Sequence, residues 1–244
     1  MAALLKPILA FDTSAAHCAA ALVTDGTALP AVTRPMLTRP ILTRLEPMQK
    51  GQGERLMPLL DELLTEAGLV WRDLGGIAAG IGPGNFTGAR IAVAAARGLA
   101  LALNIPATGI SAFEMMRDPE TLSDHAAEWV TLPAPRDQIY LQAFRYGVPQ
   151  SLPLILDPAD SATLAPLADL HVAGQRVVGH RAAEIARSFG AEAIEVESFD
   201  PAHRLGTVAA WKFASGALGP RPAPLYVRPA DAAPPSEPPP VILP

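Results

Sequence analysis

Hydrophobic and polar residues along this chain fall into blocks whose period changes. Ile8 to Phe11 is a short continuous apolar run and Ala19 to Val23 a second, both of strand length. Asp25-Gly26, just after the second run, reads as a hairpin turn. From Thr33 to Arg44 the segment TRPMLTRPILTR repeats every five residues. Its two X-Pro steps disfavour helix, and so short a period is no solenoid repeat. It is predicted as an extended insert or edge segment, because Pro35 and Pro40 cannot donate to a central ladder. From Glu54 to Ala67 the period becomes helical: Leu56, Leu59, Leu60, Leu63, Leu64 and Ala67 recur at i, i+3 and i+4, with Gly68 suited to the C-cap. Pro58 falls in the first turns, where proline is best tolerated. Ile77 to Ile81 is predicted as a buried strand running into the loop GPGNFTGAR. A helix from Thr87 or Gly88 to Leu103 follows, stopped by Asn104 and Pro106.

The second half carries shorter signals. Strands are expected at Pro106 to Ile110, Trp129 to Leu132, Gln138 to Phe144 and Val177 to Val178, with a turn near Arg136-Asp137. Helices are expected at Ser111 to Met116, Ala182 to Phe189, and Pro201 to Leu218 despite Gly206 and Gly216. Ten of the last 26 residues are proline, which predicts an extended tail with little helix or sheet. The order of elements gives an α/β class with a mixed sheet. The expected division is an N-terminal lobe over residues 1–105, a C-terminal lobe over 106–218 and a Pro-rich tail over 219–244.

Composition narrows the function classes. With 244 residues, 50% hydrophobic and 18% charged, the chain has ample material for a core and reads as soluble and globular. A net charge of −5 without a basic stripe excludes a stand-alone nucleic-acid binder. Cys18 is the sole cysteine, so no intramolecular disulfide framework exists and a reducing compartment fits. The opening MAALLKPILAFDTS is broken by Lys6 and Pro7 and does not read as a secretory leader. The most apolar window, Ile91 to Leu103, carries Arg97 and is too short to span a bilayer. A cytoplasmic protein with no membrane partner is expected.

Two stretches carry candidate chemistry. Asp12-Thr13-Ser14 follows the first strand directly. An acid and two hydroxyls there suit a metal-bound phosphate, and they equally suit a polar turn. The glycine loop lies between a strand and a helix, where amides at the helix start point toward one spot that suits an anion. Gly82, Gly84 and Gly88 allow close backbone approach, to a ligand or to other parts of the chain. The loop matches neither GxGxxG nor GxxxxGK[ST], and Arg90 is the only nearby cation. The histidines are scattered, with no HxxxH or CxxC spacing, and no GxSxG occurs. The segment Ala89 to Leu103 is apolar on nearly every side, so its second face needs another helix. Together with the leucines of the preceding helix it marks either a protein interface or two ordinary core helices.

ILAFDTS, GERLMPLLDELL and IAAGIGPGNFTGARIAVAAARGLALALNIPATGISAFEMM resemble the bacterial tRNA threonylcarbamoyladenosine biosynthesis family TsaB, also called YeaZ. The likeness covers roughly residues 7 to 145, and PLYVRP at Pro224 to Pro229 is similar to the family's C-terminal end. It implies the two-lobed actin, hexokinase and sugar-kinase (ASKHA) fold with mixed sheets. It also implies a non-catalytic paralogue of TsaD, the enzyme that transfers a threonylcarbamoyl group to the adenosine beside the tRNA anticodon. On this reading the chain is a pseudo-enzyme scaffold that dimerises with TsaD. The ATPase TsaE joins the pair, tRNA is met only through the complex, and the isolated chain forms a homodimer through the same surface.

The implied interface comprises Arg55, Leu56, Leu59, Leu60, Leu63, Arg90, Val93, Ala94 and Arg97. Asp12, Thr13, Ser14, Gly82, Gly84, Thr87 and Gly88 would be a vestigial phosphate-binding set. No catalytic residue, no metal and no cofactor of its own are implied, with weak adenine nucleotide at the partner interface. TsaD's metal-binding HxxxH falls on Ala112 and Met116, whose methyl and thioether do not replace nitrogen or oxygen ligands. The chain also departs from its family. Gln52 stands where relatives carry a His, and Pro133-Ala134-Pro135-Arg136 stands where many show Asp-Ala-Arg. The alternatives are a sugar- or acetate-kinase-like phosphotransferase using Asp12 and the glycine loop, and an M22-type metallopeptidase, against which Ala112 and Met116 argue.

Overall fold

Strand β1 (Ile8–Asp12) is buried on both faces, and its alternate residues serve two different cores. Leu9 and Phe11 face one side and Ile8 and Ala10 the other. β2 (His17–Val23) returns antiparallel to it, from Ile8↔Val23 to Asp12↔Ala19, and β3 (Ile41–Pro47) adds an antiparallel edge. β4 (Gly76–Gly82) and β5 (Ala107–Ser111) extend the other side in parallel, giving the order β3-β2-β1-β4-β5. The computed structural model describes residues 6–24, 41–117, 125–196 and 198–227. The turn expected at Asp25-Gly26 and the segment from residue 33 to 40, with Pro35 and Pro40, lie outside them. Ile41 to Arg44 opens β3, on the sheet edge as expected.

Two helices cover the Leu9–Phe11 side. α1 (Gln52–Glu66) buries Leu56, Leu59, Leu60, Leu63 and Leu64, and Gly68 ends it at φ 68°. α2 (Phe86–Leu103) buries Gly88, Ala89, Ala92, Val93 and Ala96 and stops at Asn104, whose φ is 54°. The apolar window Ile91 to Leu103 is only part of this helix. With its first turns α2 has 18 residues and a mean hydropathy of 1.4, and among the described residues it is the one helix long and apolar enough to cross a membrane.

A second sheet repeats the first. β6 (Glu128–Pro133) pairs antiparallel with β7 (Ile139–Arg145), joined by a turn with Arg136 and Asp137 at φ 61° and 59°. The short β8 (Val148–Pro149) and β9 (Leu154–Leu156) pair antiparallel with β7. β10 (Arg176–Gly179) and β11 (Glu192–Glu195) run parallel to β6 on its other side. The order β11-β10-β6-β7-β8 thus has the same strand directions, hairpin and crossovers as the first sheet, so two mixed sheets share one topology.

The elements divide differently from the expected lobes. β5 lies in the first sheet, so the chain leaves that sheet after Ser111, through α3 (Ala112–Met116), and not near residue 105. The second half holds two more helices, α4 (Ser161–Leu164) and α5 (Ala182–Phe189). α6 (Pro201–Ser215), counted with the second lobe, packs back on the first sheet through Leu205, Val208 and Ala209. Gly206 permits this approach, since a Cβ there would lie 2.7 Å from Ile41 Cγ2 and 2.9 Å from Ala21 Cβ. The first part of the expected tail is a strap with neither helix nor strand. Leu225 N donates to Ile81 O at 2.8 Å, and Thr108 Oγ1 donates to Leu218 O at 2.5 Å.

Buried charges tie these parts together. Glu128 and Arg176 sit side by side at the starts of β6 and β10. The Glu128 carboxylate accepts from Arg117 Nε at 2.6 Å and from Arg176 Nε at 2.9 Å. Lys212 of α6 donates to Glu114 of α3 at 2.5 Å, and Glu114 also completes the capping box with Ser111.

Candidate functional site

The glycine loop and the Asp12-Thr13-Ser14 turn form one corner, and they fill each other. A Cβ on Gly84 would lie 2.2 Å from Ser14 O, and one on Gly88 would lie 1.8 Å from Thr13 O. Asn85 N donates to Ser14 O at 2.5 Å, and Thr13 Oγ1 donates to Gly88 O at 2.7 Å. The helix start is capped internally: Asn85 Oδ1 accepts from Thr87 N at 2.9 Å and Gly88 N at 3.1 Å. Gly82 turns the chain with φ 85°. The seven residues expected as a vestigial phosphate set are therefore neighbours, and three amides of the loop and helix start, Asn85 N, Thr87 N and Gly88 N, already serve Ser14 and Asn85. Close packing of backbone on backbone is why the loop needs Gly84 and Gly88.

Asp12 is also engaged. Its Oδ1 accepts from Ser14 N at 2.9 Å and rests against Gly80, where a Cβ would come within 1.9 Å. Its Oδ2 lies 3.0 Å from His17 Nε2. This Asp–His pair was not read from the sequence, although β1–β2 pairing sets Asp12 against Ala19 and so brings His17 near. The pair edges a cleft of about 550 Å³ that reaches to Met115, Tyr140 and Phe199. Ala112 and Met116 line the same cleft and present a methyl and a thioether where a hard cation needs nitrogen or oxygen, so these residues do not fit TsaD's metal. Pro133 and Pro135 line it too, so that turn brings no acid and the carboxylate on the cleft wall is that of Asp12. Among the described residues no group of three or more His, Cys, Asp or Glu is placed to hold a metal ion.

Cys18, on β2, is fully buried. Burial pushes its thiol up to about 11, with Glu46 adding to the effect. The thiolate is the reactive form. The native protein is therefore expected not to react with a thiol reagent such as DTNB at pH 8, and to release one equivalent of chromophore once unfolded in guanidinium. Fast native reaction would show that the strand opens.

Most of the set expected at a partner interface is buried within the chain itself. Leu56, Leu59, Leu60 and Leu63 are at most 1% exposed and Val93 is 4% exposed. All five are turned inward, and the four leucines and their neighbours on α2 form the core against the first sheet. An amphipathic helix turns its apolar stripe to its own sheet first. Arg55 is occupied as well: its guanidinium donates to Glu46 and to Glu62, both at 2.7 Å, and that hydrogen bond holds the Glu46 carboxyl below its ordinary range.

The exposed residues of α2 include one stripe of Phe86, Arg90, Ala94, Arg97, Gly98 and Leu101, with Thr87 and Ala102 beside its ends. Leu101 is 82% exposed, and no acidic residue lies on the helix. Arg90 stacks 3.6 Å over the Phe86 ring and donates from Nε to Tyr226 Oη at 2.8 Å, while the two rings lie 4.9 Å apart. Phe86, Leu101 and Tyr226 were missed because alternation shows which face is apolar, not which face remains uncovered.

A family model described as "TsaD: tRNA N6-adenosine threonylcarbamoyltransferase" matches residues 46–163. An uncharacterized protein of Mycobacterium tuberculosis (strain ATCC 25618 / H37Rv) is 32% identical over 85% of this chain and 92% of that relative. The tRNA threonylcarbamoyladenosine biosynthesis protein TsaB of Escherichia coli (strain K12) is 34% identical over 109 residues. The chain belongs to the TsaB family. That stretch is 45% of this chain and 42% of the E. coli TsaB, so the likeness spans less than half of the curated relative. A solved structure of an uncharacterized Pseudomonas aeruginosa protein with similarity to the peptidase YeaZ superposes with a TM-score of 0.65. It covers 92% of this chain and all of that one, at 24% identity, and shows that the fold is shared.

Proposed function

We propose that the chain is a non-catalytic subunit in threonylcarbamoyl modification of the adenosine next to the tRNA anticodon, acting by pairing with TsaD. The observation that carries this reading is the outward stripe of α2, from Phe86 to Leu101, which is small and apolar between arginines and, among the described residues, exposed beyond the Tyr226 contact at its first turn. Small residues let a second helix approach closely, and exposed aromatic and arginine side chains are the usual anchors of an interface. The filled corner supports this reading: Asp12 and three amides of the loop are engaged in internal bonds, which weighs against a phosphotransferase, and the methyl of Ala112 and thioether of Met116 weigh against a metallopeptidase. TsaE joins the pair, tRNA is met only through the complex in the cytoplasm, and adenine nucleotide binds weakly at the shared interface. Without TsaD the same stripe pairs two copies of the chain.

The test is Ala94→Glu. Ala94 is exposed, so the charge leaves the fold intact while placing a carboxylate in the centre of the stripe. Co-purification with TsaD should fall at least tenfold with an unchanged urea midpoint, and depletion of the chain should lower the modified adenosine in cellular tRNA. Undiminished co-purification of both Ala94→Glu and Leu101→Asp would move the pairing surface elsewhere. Leu60→Asp does not serve, because Leu60 is fully buried and the charge would unfold the first lobe. Calorimetry of the isolated chain with Mg-ATP should show nothing tighter than millimolar.

A further inference from the structure

We propose that the C-terminal strap is an autoinhibitory contact: Tyr226 occupies the anchor site at the first turn of α2, and the partner must displace it to dock along the stripe. The inference rests on the reading of that stripe as the partner surface. The strap runs beside the stripe from one end to the other. Leu218, Gly219 and Arg221 share a cavity of about 600 Å³ with Arg97, Gly98 and Leu101 of the last turns of α2. Tyr226 reaches Phe86 and Arg90 in the first turns.

Phe86 and Arg90 are already engaged. The Arg90 guanidinium lies 3.6 Å over the Phe86 ring, and its Nε donates to Tyr226 Oη at 2.8 Å. The Tyr226 ring lies 4.9 Å from that of Phe86, tilted by 33°. Aromatic rings and arginines are the side chains that anchor interfaces. Here both have an intramolecular mate, so a helix approaching the stripe closely meets Tyr226 first. The contact is also built to open. Pro220, Pro222 and Pro224 keep the strap extended, and from Ala217 to Val227 only Pro222 is buried. The strap is anchored one residue before the tyrosine: Leu225 N donates to Ile81 O at 2.8 Å, and the Leu225 side chain packs with the cluster of Phe113 and Phe144. Tyr226 itself is half-exposed and grips α2 through a hydrogen bond and a tilted ring contact. Its release leaves Leu225 in place, keeps Arg90 stacked on Phe86 and frees Arg90 Nε for the partner.

The test is the affinity of the full chain for TsaD. A closed strap lowers the apparent affinity by the fraction of molecules in which it is open. Tyr226→Ala removes the ring contact and the hydrogen bond together and should tighten pairing roughly fivefold. Tyr226→Phe keeps the ring and loses only the hydroxyl, and should tighten it about twofold. In the wild type, chymotrypsin should cut after Tyr226 faster when TsaD is bound, because the ring is then free to enter the protease; the released peptide from Val227 onward is followed by mass spectrometry. Pairing unchanged or weakened by Tyr226→Ala, while Ala94→Glu still disrupts it, would overturn the role of the strap and leave the stripe as the partner surface. Cleavage unchanged or slowed by TsaD would mean that Tyr226 stays in place or lies under the partner, and would overturn it too. Pairing that survives both Ala94→Glu and Leu101→Asp would overturn stripe and strap alike. Should Tyr226→Ala fail to fold, Tyr226→Phe and the wild-type cleavage rates still decide.

Discussion

Glu128→Gln is expected to destabilise the protein by about 3–5 kcal/mol, the typical cost of removing one partner from a buried ion pair. The Glu128 carboxylate is 1% exposed and stands between two guanidinium groups, accepting from Arg117 Nε at 2.6 Å and from Arg176 Nη2 at 2.5 Å. Glutamine keeps the volume but removes the negative charge and turns an NH₂ toward one of the cations. Arg117 and Arg176 then lose the carboxylate that both of them share. Against a total stability of about 5–15 kcal/mol, this is a large fraction. In urea the midpoint should drop with the slope unchanged. Glu54→Gln, on the exposed side of α1, should move it by no more than about 0.5 kcal/mol. A Glu128→Gln loss below about 1 kcal/mol would show that solvent already screens the triad.

The position of Glu128 also shows where sequence reading ran out. Trp129 to Leu132 read as a strand because four apolar or β-branched residues stand together, but nothing local marks Glu128 as internal. Its burial follows from parallel pairing with Arg176, which is 48 residues away. The first lobe was legible because its periods are long: α1 and α2 repeat over 15 and 18 residues. The second lobe's matching topology was not, because β8 has two residues, β9 three, and β11 reads EAIE with a largely exposed pattern. The apolar face of α1 was legible as a face, but the pattern left core and interface equally open; its leucines meet β1 and β2. The glycines of the loop were legible as sites of close approach, but what approaches them is Thr13 and Ser14, a contact across about 75 residues of chain that no local pattern encodes.

The loop allows a sharper test, in which one substitution at two places in one helix should have opposite signs. Gly88 and Gly98 both lie within α2. Glycine in a helix interior costs about 1 kcal/mol relative to alanine, so propensity alone makes both Gly→Ala changes stabilising. A methyl on Gly98 would meet nothing within 4 Å, and Gly98→Ala should stabilise by about 0.5–1 kcal/mol. At Gly88 the same methyl would lie 1.8 Å from Thr13 O and 2.8 Å from Thr13 C, atoms of a buried turn that cannot swing aside like the end of a side chain. Relief requires the helix start to lift from the turn, which breaks the Thr13–Gly88 and Asn85–Ser14 hydrogen bonds. Overpacking of this kind costs roughly 3 kcal/mol, which exceeds the propensity gain and leaves a net loss of about 2 kcal/mol. Urea unfolding of the two variants measures both signs. If the corner were an open cradle kept free for an anion, Gly88→Ala would stabilise the unliganded protein as Gly98→Ala does. A loss at Gly88 beside a gain at Gly98 means that Gly88 is there for the close packing of the helix start on the Thr13–Ser14 turn.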